Sequence, residues 1–145
     1  MYRLHLGIGS ALTAFGLCKL LSQLFLGNWE RLSAGQSDIA ARGVWLLAIF
    51  LPAFAILSAG GATALTAVIT RGTGPGLLAR ALPALAGGIA GSIAIVLGLD
   101  PTVDLLRRVT SNWMFSALSI SAAIMVLLCG LAIVLLGRRI QVAAA

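Results

Sequence analysis

Charge and reactive side chains are what this sequence has least of. Only 10% of its 145 residues are charged, and four of them are acidic. With one histidine, His5, the chain by itself cannot supply a bis-histidine haem site or a histidine-based metal cluster. None of the acids, Glu30, Asp38, Asp100 and Asp104, falls inside an apolar run, which removes the mid-membrane carboxylate usual in proton-coupled transporters. There is no Cys-x-x-Cys, no phosphate-binding glycine loop leading to a lysine, and no serine nucleophile motif with a partner base. The sequence therefore leads us to expect no catalytic residue, no metal and no intrinsic cofactor, while leaving room for a bound lipid.

What is present is apolar. Hydrophobic residues make up 60% of the chain and the mean hydropathy is +1.07, whereas a soluble domain is about 45–50% apolar and about 25% charged. Four apolar runs, 4–26, 44–70, 77–99 and 113–136, are each long enough to cross a bilayer as a helix. The expected fold is an all-α integral membrane protein. Residues 1–145 would form a single transmembrane domain, a small bundle of four transmembrane helices with short interfacial helices in its outer loops. The turn cluster Thr73-Gly74-Pro75-Gly76 permits a tight hairpin between the second and third helices. Pro52 and Pro83 lie inside runs; Pro83 is near its helix start, so Pro52 is the one expected to bend a helix.

The first run is read as a retained spanning helix and not as a secretory signal, because no small-x-small cleavage site follows and Lys19 interrupts it. A helix lying in the membrane plane, followed by three crossings, is the competing picture. Cys18 and Cys129 both sit in apolar runs at different depths and are expected to be free thiols.

A net charge of +6 and a pI near 11.2 would suggest nucleic acid in a soluble chain. Here the basic residues are scattered singly or in pairs, so they read as topology and headgroup anchors, with no nucleic-acid partner. Four crossings put Arg3, Arg71, Arg80, Arg138 and Arg139 on one side. Arg31, Arg42, Arg107, Arg108 and every acid fall on the other. Both termini are expected to be cytoplasmic, in a multi-pass protein of the bacterial inner membrane. Trp29, Trp45 and Trp113 all fall at helix ends on the outer side, where indoles anchor at the headgroups. In the outer loops, Ser37-Asp38 and Asp100-Pro101 look like starts of short surface helices.

Packing signals are plentiful. Along the first helix His5, Gly9, Leu12, Gly16, Lys19 and Gln23 recur at alternating spacings of four and three, one stripe expected to face protein. Lys19, inside the run, needs an anionic partner, with Glu30, Asp100, Asp104, a lipid phosphate or a neighbouring subunit as candidates. The third helix carries Gly87-x-x-x-Gly91, Ala84-Gly88-Ser92 and Ala86-Ala90-Ala94, which would suit the centre of a bundle or a clamp against a partner. Ser58-Ala62, Gly60-Ala64, Ala117-Ser121 and Ser119-Ala123 repeat the spacing in the second and fourth.

The opening, Arg3-Leu4 through Gly7, Gly9 and Gly16-Leu17-Cys18-Lys19-Leu20, resembles the first helix of DoxX-type small four-helix membrane proteins. Pro52-Ala53-Phe54-Ala55 stands where that pattern implies an acidic residue, and the remaining chain departs from it, so no family is assigned. The expected role is a non-catalytic accessory subunit of a larger membrane complex, of respiratory, photosynthetic or translocation type, with other membrane subunits and lipids as partners. The alternative is a small homo-oligomeric channel or carrier in which Lys19, Arg80 and the third helix line an anion path.

Overall fold

The computed structural model describes residues 1–33, 39–71, 76–98 and 112–144, with side chains described for 1–25, 48–71, 76–95 and 117–144. The described residues form four helices and, among them, no strand: α1 Tyr2–Ser33, α2 Ile39–Thr70, α3 Leu78–Gly98 and α4 Asn112–Ala144. Each contains a stretch long and apolar enough to cross a membrane: Tyr2–Phe25, Ala48–Thr70, Leu78–Ile95 and Ala117–Ala144. Helices apolar on nearly every face are suited to a solvent of lipid.

The helices outrun the apolar runs. Residues 28–33 and 39–43, expected to be an outer loop, belong to the end of α1 and the start of α2. The fourth helix, expected to stop at 136, continues to Ala144. Nothing in these polar extensions breaks a helix, since Trp, Glu, Arg, Ile, Gln, Val and Ala all tolerate helical backbone. The capped turn at Ser37-Asp38 and the whole Asp100–Asn112 loop with its surface helix lie outside the described residues, apart from Asn112. Neither proline interrupts its helix, and α2 runs unbroken through Pro52.

The centre of the bundle is α1. It packs along α2, α3 and α4, whereas α3 packs mainly against α1 and α2. The third helix, rich in small residues, is thus clamped at the side and does not form the hub. Contacts fix the directions: Gly7 lies over Pro83 and Ala11 over Gly87, so α1 and α3 run parallel. His5 meets Gly137, Gly9 meets Gly130 and Val134, and Gly16 meets Leu127, so α1 and α4 run antiparallel.

Close approach is what the glycines supply. A Cβ on Gly16 would sit 2.7 Å from the Leu127 backbone nitrogen, and one on Gly130 2.6 Å from that of Thr13. On the other side of α1, a Cβ on Gly87 would strike the Ala11 carbonyl. In lipid there is no hydrophobic drive between helices, so such backbone proximity, with its dispersion contacts, has to hold them together. Toward the C-terminal end of α1, Phe25 of α1 and Phe50 and Phe54 of α2 form a ring cluster with centroids 4.5, 5.7 and 6.0 Å apart.

Buried hydroxyls are mostly satisfied within their own helices. Thr13, Thr63, Thr66 and Thr70 donate to the carbonyls of Gly9, Ala59, Ala62 and Thr66 at 2.7–2.8 Å. That back-bonding lets polar side chains sit in an apolar interior. At the hairpin end, Arg71 has φ 44°, the left-handed turn that closes α2, with its N–H on the Val68 carbonyl at 3.2 Å.

Candidate functional site

Three helices meet at one node. Ser92 of α3 donates its hydroxyl to the Leu51 carbonyl of α2 at 3.0 Å. With that hydrogen engaged, the Cys18 thiol of α1, 3.5 Å from the same oxygen, is the donor toward Ser92. Gly91 makes room, since a Cβ there would lie 2.9 Å from the Cys18 Cβ. Gly88 does the same for α2, 2.5 Å from the Ala55 carbonyl. Gly87, Gly88, Gly91 and Ser92 are therefore all engaged inside the bundle, Gly87 and Gly91 toward α1 and Gly88 and Ser92 toward α2. Cys18 and Cys129 are both free thiols, the first buried and the second exposed.

The stripe on α1 divides. His5, Gly9 and Gly16 lie on the α4 seam, and the His5 Nδ1 donates to the Met1 carbonyl at 2.9 Å, which leaves Nε2 as the unprotonated nitrogen if the ring is neutral. Lys19 and Gln23 are half-buried. Lys19 continues a second line, Leu4, Ile8, Leu12 and Phe15, up the side of α1 that α3 and α4 leave open between them. Lys19 forms no ion pair with a described side chain; the side chains of Glu30, Asp100 and Asp104 lie outside the described residues, as do those of Trp29, Trp45 and Trp113.

Arg80 is somewhere else entirely. It lies one turn before Ala84, on the side that α3 turns inward, and is only 6% exposed. Parallel packing sets Pro83 beside Gly7, so Arg80 and Lys19 stand on the order of 20 Å apart along the bundle axis by helical rise. The two cations share neither a level nor a face.

The α3 helix also has an outward small face. Ala86 and Ala90 are exposed, on the side where α3 and α4 part. Gly60 and Ala64 of α2 are exposed too, with nothing within 4 Å of a Cβ built on Gly60, and so are Ala117 and Ser121 of α4. In contrast Ser58, Ala62 and Ala123 are buried. Small-residue spacing in the sequence marked both inward and outward faces without telling them apart. The Cys18–Ser92–Leu51 node and the buried state of Arg80 were not foreseen, because each depends on which faces meet.

Among the described residues no group of three or more His, Cys, Asp and Glu side chains gathers as a metal site would require. Comparison with protein-family models, with curated proteins and with solved structures finds no match.

Proposed function

We propose that this chain is a non-catalytic accessory subunit of a larger membrane complex, embedded in the bacterial inner membrane with both termini cytoplasmic. One observation carries most of the weight. On α3 the glycines are engaged by α1 and α2, yet a second small face, Ala86 and Ala90, remains exposed beside an open side of the bundle. A face of that kind lets a further helix approach closely in lipid. Lys19, half-buried on the same open side and without a described ion partner, gives such a neighbour an electrostatic reason to stay. Respiratory, photosynthetic and translocation assemblies are the candidates, with lipid filling the rest of the surface.

The alternative is a small homo-oligomeric channel or carrier, whose path would run between copies. Lys19 and Arg80 would have to line one anion path, but they occupy different faces and levels, so a path would need more than one copy of the chain. Extraction from native membranes in mild detergent followed by native mass spectrometry separates the two. A stoichiometric complex with larger membrane subunits, lost in an Ala86→Leu/Ala90→Leu variant that still folds, is expected. A lone monomer or a homo-oligomer carrying only lipid would contradict it.

A further inference from the structure

The end where α1 and α3 begin and α2 and α4 finish carries Arg3, Arg71, Arg80, Arg138 and Arg139, and no acid lies among the described side chains. In sequence Glu30 falls near the C-terminal end of α1, and Asp38, Asp100 and Asp104 fall in the connectors that follow α1 and α3, outside the described residues. Three of the arginines, Arg3, Arg71 and Arg139, are exposed. Arg138 donates Nη1 to the Ile69 carbonyl at 3.0 Å, capping the negative end of α2. Arg80 has no such role. It is buried at 6% exposure, and its Nε has no hydrogen-bond partner.

A second buried polar atom without a partner is the Ser10 hydroxyl, on a residue with no exposed surface. By the Gly7–Pro83 and Ala11–Gly87 register, however, Ser10 stands about 9 Å further from the arginine end than Arg80, so the two are separate unpartnered groups. Ala14, Ala59, Ala62 and Ala84 pack as one cluster across α1, α2 and α3. One turn along each helix toward the arginine end, those positions become Ser10, Thr66 and Arg80, all buried. Arginine side chains near a helix start lean back toward its N-terminus, here toward the arginine-rich end. The positive end of the α3 dipole further disfavours a cation in the first turn. The first backbone donors of α3 are already bonded, Ala79 to Gly76 and both Arg80 and Ala81 to Leu77 at 2.9–3.1 Å. Any charge compensation at this point has to come through the guanidinium.

We propose that Arg80 binds a phosphate group at this end of the bundle through its planar Nε–Nη fork, with Arg3 and Arg71 adding charge at the rim. A guanidinium matches two phosphate oxygens at once, which makes phosphate the anion this side chain suits. The group belongs either to an anionic lipid headgroup or to a free phosphate. The site does not depend on the accessory role and would be present in the isolated chain.

The test uses the full chain, delipidated in a neutral detergent. Native mass spectrometry and thermal melting are followed with added phosphatidylglycerol, with inorganic phosphate, and with phosphatidylcholine and chloride as controls. Phosphatidylglycerol or inorganic phosphate, but neither control, should bind and raise the melting temperature, and whichever does so identifies the source. Affinity should fall at least tenfold in Arg80→Gln and stay unchanged in Arg139→Gln. Should Arg80→Gln fail to fold, Arg80→Lys keeps the charge without the fork and should bind measurably more weakly than the wild type. Equal response to all four additives, or binding that Arg80→Lys leaves intact, would overturn the proposal.

Discussion

At the residue scale, glycines that look alike in the sequence differ sharply in what surrounds them. Gly87→Ala would drive a methyl into the Ala11 carbonyl, a backbone atom that cannot step aside, and overpacking of this kind costs about 1–3 kcal/mol. Gly60→Ala meets nothing within 4 Å and should be neutral or stabilising by about 0.5–1 kcal/mol through helix propensity. Equilibrium unfolding in mixed micelles distinguishes them, and equal costs would mean that the α1–α3 contact is misplaced. Arg71 presents the opposite case, a side chain where the backbone favours none. With φ 44° it occupies the left-handed region, which costs an L-residue roughly 1–2 kcal/mol, so Arg71→Gly should raise stability by about that amount. A loss instead would show that the Arg71 side chain contributes more than its backbone strain removes.

At the scale of elements, α4 is held mainly by one seam. Its small and backbone surfaces at Leu127, Gly130, Val134 and Gly137 meet Gly16, Thr13, Gly9 and His5 of α1, and its contact with α2 is slight. Gly130→Val should therefore release α4 and leave the packing among α1, α2 and α3 in place. Hydrogen exchange would then show lost protection in α4 alone; loss spread over all four helices would mean the bundle is held as one cooperative unit. Four elements were legible in the sequence because lipid demands long apolar runs, and the seven-residue recurrence of Gly9 and Gly16 marked a real seam. The ends were not, since hydropathy drops at Arg138 while helical backbone carries on through Gln141 to Ala144. Nor was the hub. With apolar residues on every face, periodicity cannot rank the helices, and the small-residue density of α3 pointed to it instead of to α1.

At the scale of the whole molecule, the functional inferences depend on how the four helices are arranged. Placing α1 in the middle leaves Ala86 and Ala90 facing out, puts Lys19 on the open side and encloses Arg80 at the arginine-rich end. Exchange α3 into the centre and each of these placements changes. The same arrangement explains why the site residues were only partly readable: their types were visible, but inward or outward is decided by which helix is surrounded. One cross-link reports on this most directly. The Cβ of a residue at position 7 would lie 3.9 Å from the Pro83 Cβ, inside the roughly 3.5–4.5 Å window for a disulfide. In a background with Cys18→Ala and Cys129→Ala, the pair Gly7→Cys/Pro83→Cys should close on mild oxidation, read as the loss of both alkylatable thiols in a monomeric band. The pair Gly7→Cys/Gly60→Cys should stay reduced. Failure of the first pair to close, in a variant that folds, would contradict the parallel α1–α3 face on which the placements of Arg80, Ala86 and Ala90 rest.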